Sequence, residues 1–202
     1  MPRCFIAAIP PPEIIDSVGG WQEMLRRTLS CSQSLRWTSG SQLHLTLLFL
    51  GEVGADDIPA LIEALHASCI GVDRLHLSLT SAGAFPSLIR PRVLWLGLSG
   101  ELERLNVLQA SVADKCARFG THQTPESFKP HLTLARIREP SRSLGQALRS
   151  ALEQISPPTP NRWRVNSLSL IASTLLPTGS SYETLASIPL DHPKLDSHCP
   201  AG

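Results

Sequence analysis

Two identical tetrapeptides stand far apart in the chain, His44-Leu45-Thr46-Leu47 and His131-Leu132-Thr133-Leu134. On a strand, alternate side chains share a face, so each copy presents one histidine and one threonine together and packs two leucines on the other side. One such His-x-Thr sequence on an apolar strand is a weak signal. Packing does not require this polar pair twice, however, so the repeat predicts paired chemical groups.

The residue types in the repeat suit the displacement of a group on phosphorus. Of two histidines on opposite sides of a phosphorus atom, one can deprotonate an attacking water and the other can protonate the departing oxygen. The unperturbed histidine pKa of about 6.5 allows both roles near neutrality. Thr46 and Thr133 can donate hydrogen bonds to the non-bridging oxygens, whose charge grows in the transition state. We therefore predict His44 and His131 as a catalytic acid-base pair that uses no metal and no cofactor.

The elements that would position these groups also occur in two related sets. Each tetrapeptide lies on a predicted strand and is followed by an amphipathic helix, over residues 55–70 and 143–155. Further helices are predicted over residues 13–29 and 101–119. The other strands are predicted at residues 3–9, 35–38, 43–53, 75–80, 93–98, 131–137, 164–172 and 182–188. The pattern indicates an α/β (α+β) fold of two related lobes that face each other.

Composition limits the kind of function. The 202 residues are 42% hydrophobic and carry a formal net charge of +1, which fits a soluble globular protein without a broad basic field. Contact with nucleic acid should therefore be local, at the end of a nucleic-acid chain or at a single nucleotide. The five cysteines are scattered with no CxxC pair, which argues against disulfides and zinc and favours the cytoplasm. We expect no secretory signal and no membrane segment.

The chain resembles the bacterial and archaeal RNA 2′,3′-cyclic phosphodiesterases, historically called 2′-5′ RNA ligases, of the two-histidine phosphoesterase superfamily. The likeness extends from Arg3 to about Leu190. The segments that carry it are residues 3–10, 44–51, 85–86, 90–95, 128–136 and 179–182. One departure is Ala172, which starts the sequence Ala-Ser-Thr-Leu where the family pattern has an acidic residue.

The resemblance implies a fold and an activity. The expected fold is one bilobal domain over residues 1–190, with two pseudo-symmetric antiparallel sheets backed by helices and a cleft between them. A disordered tail is expected over residues 191–202. The resemblance also implies that His44 donates a proton to the leaving 3′ oxygen and that His131 accepts one from water. The product would then be a 2′-phosphomonoester, with weak ATP-independent 2′-5′ ligation in reverse.

The expected partner is an RNA 3′ end that bears a cyclic phosphate, with tRNA fragments as one candidate source, and the protein is expected to be a monomer. Among other candidates for substrate binding, Arg136 stands at an odd offset from the second histidine and reaches its face only if the strand bulges, twists or ends. Lys129 shares the histidine face by alternation, and Arg90 lies on a proline-bounded loop. Phe85 and Trp37 could stack on a base or belong to the core.

Three other functions remain open on sequence grounds. The same chemistry could act on a small cyclic nucleotide, an ADP-ribose cyclic phosphate or a 2′-5′ oligonucleotide. The chain could instead be a non-catalytic module that binds RNA ends, or a metallohydrolase with both histidines as ligands. The natural RNA, the direction of the reaction and the oligomeric state are not fixed by these residues.

Overall fold

The computed structural model contains both strands and helices, and it describes residues 1–29, 34–121, 128–176 and 179–190. The helices are α1 (Pro12–Thr28), α2 (Ile58–Cys69), α3 (Leu102–Cys116) and α4 (Arg142–Gln154). The strands are β1 (Arg3–Ala8), β2 (Leu35–Trp37), β3 (Leu45–Glu52), β4 (Leu75–Phe85), β5 (Val93–Gly100), β6 (His131–Ile137), β7 (Arg162–Val165), β8 (Ser167–Leu176) and β9 (Gly179–Pro189).

All strand pairs in the described residues are antiparallel, and the strands form two halves. One half has the order β7-β4-β5-β6 and the other has β3-β1-β8-β9, with β2 paired to β6. The halves join between β3 and β6 through one cross-strand pair, Leu45 with Leu132. The predicted fold of two related antiparallel sheets with helices is confirmed, and the two sheets are continuous at this pair.

The helices cover the apolar side of the sheet. Helix α3 contacts β3 and α2, α2 contacts β9, and α1 contacts α4. The four leucines of the two tetrapeptides are at most 3% exposed and belong to one continuous core. The predicted division between a packed leucine face and a polar face therefore holds for both copies.

The boundaries differ from the predictions mainly in the strands. The strand predicted over residues 75–80 extends to Phe85 as β4, because Ala82, Gly83 and Ala84 continue the pairing with β5 past a register shift. The strand predicted over residues 164–172 is two strands. Of these, β7 pairs with β4 at one edge of the sheet, while β8 pairs with β1 in the other half.

The predicted domain boundary lies near the C-terminus. Residues 191–202, for which a disordered tail is predicted, lie outside the described residues, and the single domain over residues 1–190 stays a prediction. Among the described helices, none combines the length and the hydrophobicity that a bilayer span requires.

Candidate active site

A cleft of about 480 Å³ lies over the junction of the two halves. His44 directly precedes β3 and His131 is the first residue of β6. The residues that follow them, Leu45 and Leu132, are cross-strand partners, so both histidines lie at the junction of the two halves. Both histidines line the cleft together with Thr46 and Thr133. The volume is within the usual range of small-ligand sites, about 300–1,000 Å³.

Each imidazole ring is oriented by a hydrogen bond to a backbone carbonyl. The Nδ1 atom of His44 lies 2.7 Å from the carbonyl oxygen of Gln42, and Nδ1 of His131 lies 2.6 Å from the carbonyl oxygen of Lys129. A carbonyl oxygen can only accept, so each Nδ1 carries the proton and donates it. The Nε2 atom of each ring is thereby left for a substrate, as an acceptor when the ring is neutral and as a donor when it is charged.

Aromatic rings enclose each histidine. Phe5 and Tyr182 lie 4.8 and 5.5 Å from the His44 ring, centroid to centroid. Phe85 packs edge-on against the His131 ring at 5.1 Å, so this predicted residue contributes a wall of the site. These contacts restrict the rotation of the imidazoles and remove water from them.

A bulge in β6 brings a positive charge to the histidines. The register between β5 and β6 shifts by one residue around Leu134, so alternation along β6 reverses there. Arg136 consequently shares the face of His131 and Thr133 and lines the cleft. The sequence predicts that Arg136 reaches the histidine face only if its strand bulges, twists or ends, and β6 does bulge.

The other half contains the same bulge. The register between β1 and β3 shifts around Leu47, and the burial pattern of residues 45–49 repeats that of residues 132–136. The residue that corresponds to Arg136 is Phe49, which lines the cleft and is 45% exposed. The duplication therefore extends to the backbone irregularity, while the side chains that it presents differ: one is cationic and the other aromatic.

The electrostatics of the cleft favour an anion. Arg3, Arg36 and Arg136 line it, and no aspartate or glutamate is found among the described residues that do so. Burial lowers the pKa of His44, and the charges of His131 and Arg136 lower it further. Burial and then Arg136 also lower the pKa of His131. A bound phosphate would supply the missing negative charge and raise both values.

Not all of the predicted binding residues line this cleft. Trp37 does, whereas Lys129 and Arg90 are exposed residues outside the lining. Lys129 instead contributes its backbone carbonyl, which orients His131. Ala172 is buried in β8, with Cys4 and Glu183 as its cross-strand neighbours.

Several lining residues were not singled out from the sequence: Arg3, Arg36, Gln42, Phe49 and Tyr182. Most lie on strands or loops that carry no repeated motif, so nothing in their spacing marks them. Phe49 is the exception, because it stands five residues after His44 as Arg136 does after His131. Within the described part of the chain, no group of three or more histidine, cysteine, aspartate or glutamate side chains is suited to hold a metal ion.

Comparison with known proteins shows the family to which the chain belongs. The model of a family described as "2'-5' RNA ligase superfamily" matches residues 10–174, which is most of the chain. The chain belongs to the 2′-5′ RNA ligase superfamily. A relative from Archaeoglobus fulgidus, named RNA 2′,3′-cyclic phosphodiesterase, is 30% identical over 183 residues, which are 91% of this chain and 97% of the relative. A relative of the same name from Escherichia coli K12 is 36% identical over 66% of this chain and 71% of its own length.

Solved structures of the superfamily share the fold. The Escherichia coli LigT protein complexed with 3′-AMP has a TM-score of 0.74 and 30% identity, covering 95% of this chain and 99% of that one. The same protein complexed with phosphate has a TM-score of 0.69 and 28% identity, covering 93% of this chain and 96% of that one. The predicted resemblance, and with it the prediction of an enzyme of this type, is confirmed.

Proposed function

We propose that the chain hydrolyses the 2′,3′-cyclic phosphate at the 3′ end of RNA to a 2′-phosphomonoester. The observation that carries the proposal is the matched orientation of two histidines, each with Nδ1 bound to a backbone carbonyl and Nε2 left for a ligand. The cationic cleft and the names of the relatives support an anionic, cyclic-phosphate substrate.

The reaction would be a single in-line displacement on phosphorus. Nε2 of neutral His131 accepts a proton from water as its oxygen bonds to phosphorus. The bond from phosphorus to the 3′ oxygen breaks, and Nε2–H of charged His44 donates a proton to that oxygen. A 2′-phosphomonoester and a free 3′ hydroxyl remain, and the histidines have exchanged protonation states.

The other lining groups would stabilise the transition state. Thr46 and Thr133 donate hydrogen bonds to the non-bridging oxygens, and Arg136 offsets the charge that grows on them. Burial makes these interactions stronger than they would be in water. If the 5′ hydroxyl of a second RNA end replaced water as the nucleophile, the same displacement on the cyclic phosphate would form a 2′-5′ linkage and free the 3′ hydroxyl without ATP, at a low rate in water.

The location proposed for this activity is the cytoplasm. Cys4, Cys69 and Cys116 are free and buried, as expected of a protein in a reducing compartment. Burial raises the pKa of Cys69 to about 12 and that of Cys116 to about 11, so these thiols stay protonated and unreactive.

The test is analysis of the phosphate end of a defined oligonucleotide that carries a 2′,3′-cyclic phosphate. Wild type should produce only the 2′-phosphomonoester, in the presence of a chelator as well as without it. His44→Ala and His131→Ala should each lose about 10²- to 10⁴-fold in rate. His66→Ala is the matched control, because His66 is exposed on α2 away from the cleft.

Each alternative has its own outcome. Wild type that binds the oligonucleotide for hours and leaves it intact would indicate a module for RNA ends. Activity that disappears with chelator would indicate a metallohydrolase. Faster turnover of an ADP-ribose cyclic phosphate or a 2′-5′ oligonucleotide would keep the mechanism and change the substrate.

A further inference from the structure

The two carbonyls that orient the histidines are fixed in different ways. Gln42 precedes His44 by two residues, and Lys129 precedes His131 by the same interval. Pro130 stands between the residues of the second pair. Its ring fixes its own backbone angle φ and restricts the preceding residue to extended conformations. The carbonyl of Lys129 is therefore oriented by the local chain itself.

A proline does not fit the corresponding position of the first half. The residue there is Leu43, which is 2% exposed in the core, and its backbone N–H donates to the carbonyl of Gly40 at 3.2 Å. Gln42 is the last residue of the short 3₁₀ turn Gly40–Gln42, and a following proline would disfavour that helical conformation. The orientation of the Gln42 carbonyl therefore depends on other contacts.

The side chain of Gln42 makes such a contact with a distant strand. Its Nε2 atom donates to the backbone carbonyl of Ser180, which is 138 positions away on β9. The backbone N–H of Gln42 donates to the carbonyl of Ser39 at 2.9 Å, and its own carbonyl accepts from Nδ1 of His44 at 2.7 Å. Because its side chain, N–H and carbonyl are all hydrogen-bonded, this residue has little freedom to rotate.

Strand β9 contacts the His44 region at two points. Ser180 accepts the hydrogen bond from Gln42, and two residues further along β9 the Tyr182 ring meets the His44 imidazole edge-on at 5.5 Å. Both β9 residues line the cleft, as do Gln42 and His44. The position of His44 in the cleft is thus set by β9 as well as by its own strand.

The Gln42 carbonyl also acts on the charge of the imidazole. Burial lowers the pKa of His44, the hydrogen bond to this carbonyl raises it, and the charges of His131 and Arg136 on β6 lower it. The carbonyl is the one group among these that favours the charged ring, which is the form that can donate a proton. The other titratable or cationic side chains in the cleft lining are those of Arg3, Arg36 and Tyr182.

We propose that the side chain of Gln42 positions His44, because its hydrogen bond to Ser180 fixes the carbonyl that orients the imidazole. The inference rests on the proposed function, in which Nε2–H of charged His44 donates to the leaving 3′ oxygen. Without the hydrogen bond to Ser180 the carbonyl turns away, and Nδ1 loses the acceptor that directs Nε2 into the cleft. Gln42 is accordingly a positioning residue that acts through His44.

Gln42→Met tests the inference, because methionine has a similar length and no N–H donor in its side chain. On the cyclic-phosphate oligonucleotide, its kcat should fall about tenfold while KM stays within about twofold of wild type. Gln42→Asn keeps the donor on a side chain shorter by one methylene, so its kcat should lie between the two. A higher KM at unchanged kcat would overturn the inference, since the amide would then bind substrate.

Ser41→Ala is the matched control. Ser41 belongs to the same 3₁₀ turn, is exposed outside the cleft lining, and has its hydroxyl 3.1 Å from that of Ser39. This variant removes a polar contact of the turn and keeps the hydrogen bond from Gln42 to β9. Its kcat and pH profile should equal those of wild type. A tenfold loss here as well would overturn the inference, because the whole turn would then position His44.

The pH profile separates positioning from a general loss of structure. Loss of the carbonyl as an acceptor lowers the pKa of His44. The maximum of kcat/KM lies midway between the two macroscopic pKa values, so in Gln42→Met it should move to lower pH by half of that change. A lower rate with the maximum in its wild-type place would contradict a role that acts through His44.

Titration of the imidazole ¹⁵N signals by NMR measures the same effect without turnover. In wild type the neutral His44 ring should carry its proton on Nδ1, whereas in Gln42→Met its pKa should be lower and the Nε2–H tautomer should appear. Failure of the proposed function is a separate result, namely a wild type that leaves the cyclic phosphate intact. In either case, a His44 pKa and tautomer that are the same in wild type and Gln42→Met would overturn the inference.

Discussion

The side-chain nitrogen of Gln22 donates a hydrogen bond to the carbonyl oxygen of Leu134 at 3.0 Å, although the two residues are 112 positions apart. Leu134 is the extra residue of the β6 bulge. In the other half, the side chain of Gln109 on α3 donates to the carbonyl of Leu47 at 3.2 Å, at the corresponding bulge. A helix glutamine thus binds the irregular carbonyl in each half of the sheet.

Replacement of Gln22 should affect catalysis through Arg136. Gln22→Leu removes the donor for the carbonyls of Thr38 and Leu134 and should lower the free energy of unfolding by about 1–3 kcal/mol. Because the bulge then loses a support, Arg136 moves relative to the histidines, and kcat/KM on a cyclic-phosphate oligonucleotide should fall about tenfold. Urea unfolding and steady-state kinetics measure the two effects.

Gln109→Leu is the matched control for this prediction. It releases the bulge that presents Phe49 in place of an arginine, so we expect a loss of stability with a smaller loss of kcat/KM. In an Arg136→Gln background, Gln22→Leu should add little to the kinetic defect, because the residues act through each other. Additive losses would show that Gln22 affects turnover by another route.

Where strand alternation is regular, the sequence predicts which side chains face the site and which pack in the core. The repeated His-Leu-Thr-Leu identifies four polar groups and four core leucines in two halves, because two-residue periodicity fixes their faces. Past Thr46 and Thr133, a one-residue bulge reverses the faces, and no glycine or proline marks it in the sequence. For this reason the location of Arg136 could be predicted only conditionally, and that of Phe49 was missed.

Other features depend on long-range pairing that local signals do not reveal. The last part of β4 is rich in small residues, and alanine and glycine are uncommon in strands. Their presence is explained by the neighbouring strand, whose Trp95 ring lies against Gly83. The three-residue strand β2 likewise forms only because β6 offers it an edge.

The pH dependence of activity should reflect the lowered pKa of both histidines. The productive free enzyme has one neutral and one charged ring, so kcat/KM should be greatest between the two macroscopic values. Burial and Arg136 lower both values, which places this maximum below the ordinary histidine pKa of 6.5. The profile of kcat should lie at higher pH, because the bound phosphate raises the pKa of both rings.

Arg136→Gln provides the check on this assignment. Removal of its charge raises the pKa of both histidines, so the maximum of kcat/KM should move to higher pH while its value falls. Arg136→Lys should lower the value and leave the position of the maximum nearly unchanged. A maximum that stays in place in Arg136→Gln would mean that this guanidinium does not act on the histidines.

Stability should decrease in mild acid because of the same two histidines. Their pKa is lower in the folded protein than in the unfolded chain, so the unfolded chain binds more protons as the pH falls below about 6.5. The stabilising contribution is present above the unfolded pKa and is lost as the pH falls through the folded one. Denaturant unfolding of wild type and of the His44→Ala/His131→Ala double variant from pH 7.5 to 5 tests this. The decrease in the free energy of unfolding with falling pH should be smaller in the double variant, and an equal decrease in both proteins would contradict the prediction.

A methyl group at Gly83 should disturb the His131 side of the cleft through Trp95. The Cβ of an alanine at residue 83 would lie 2.5 Å from the Cη2 atom of the Trp95 indole, which a packed core cannot accommodate without movement. The indole flanks both Phe85 and His131, at 5.2 and 6.4 Å between ring centroids. Gly83→Ala should therefore cost about 1–3 kcal/mol of stability and also lower kcat/KM.

Gly19→Ala is the matched control, since its Cβ would meet no atom within 4 Å in the middle of α1. Alanine is the better helix former, so this variant should gain about 0.5–1 kcal/mol with unchanged kinetics. Urea unfolding and kcat/KM of the two variants should thus change in opposite and separable ways, and a Gly83→Ala protein as stable and active as wild type would show that the indole has room to move.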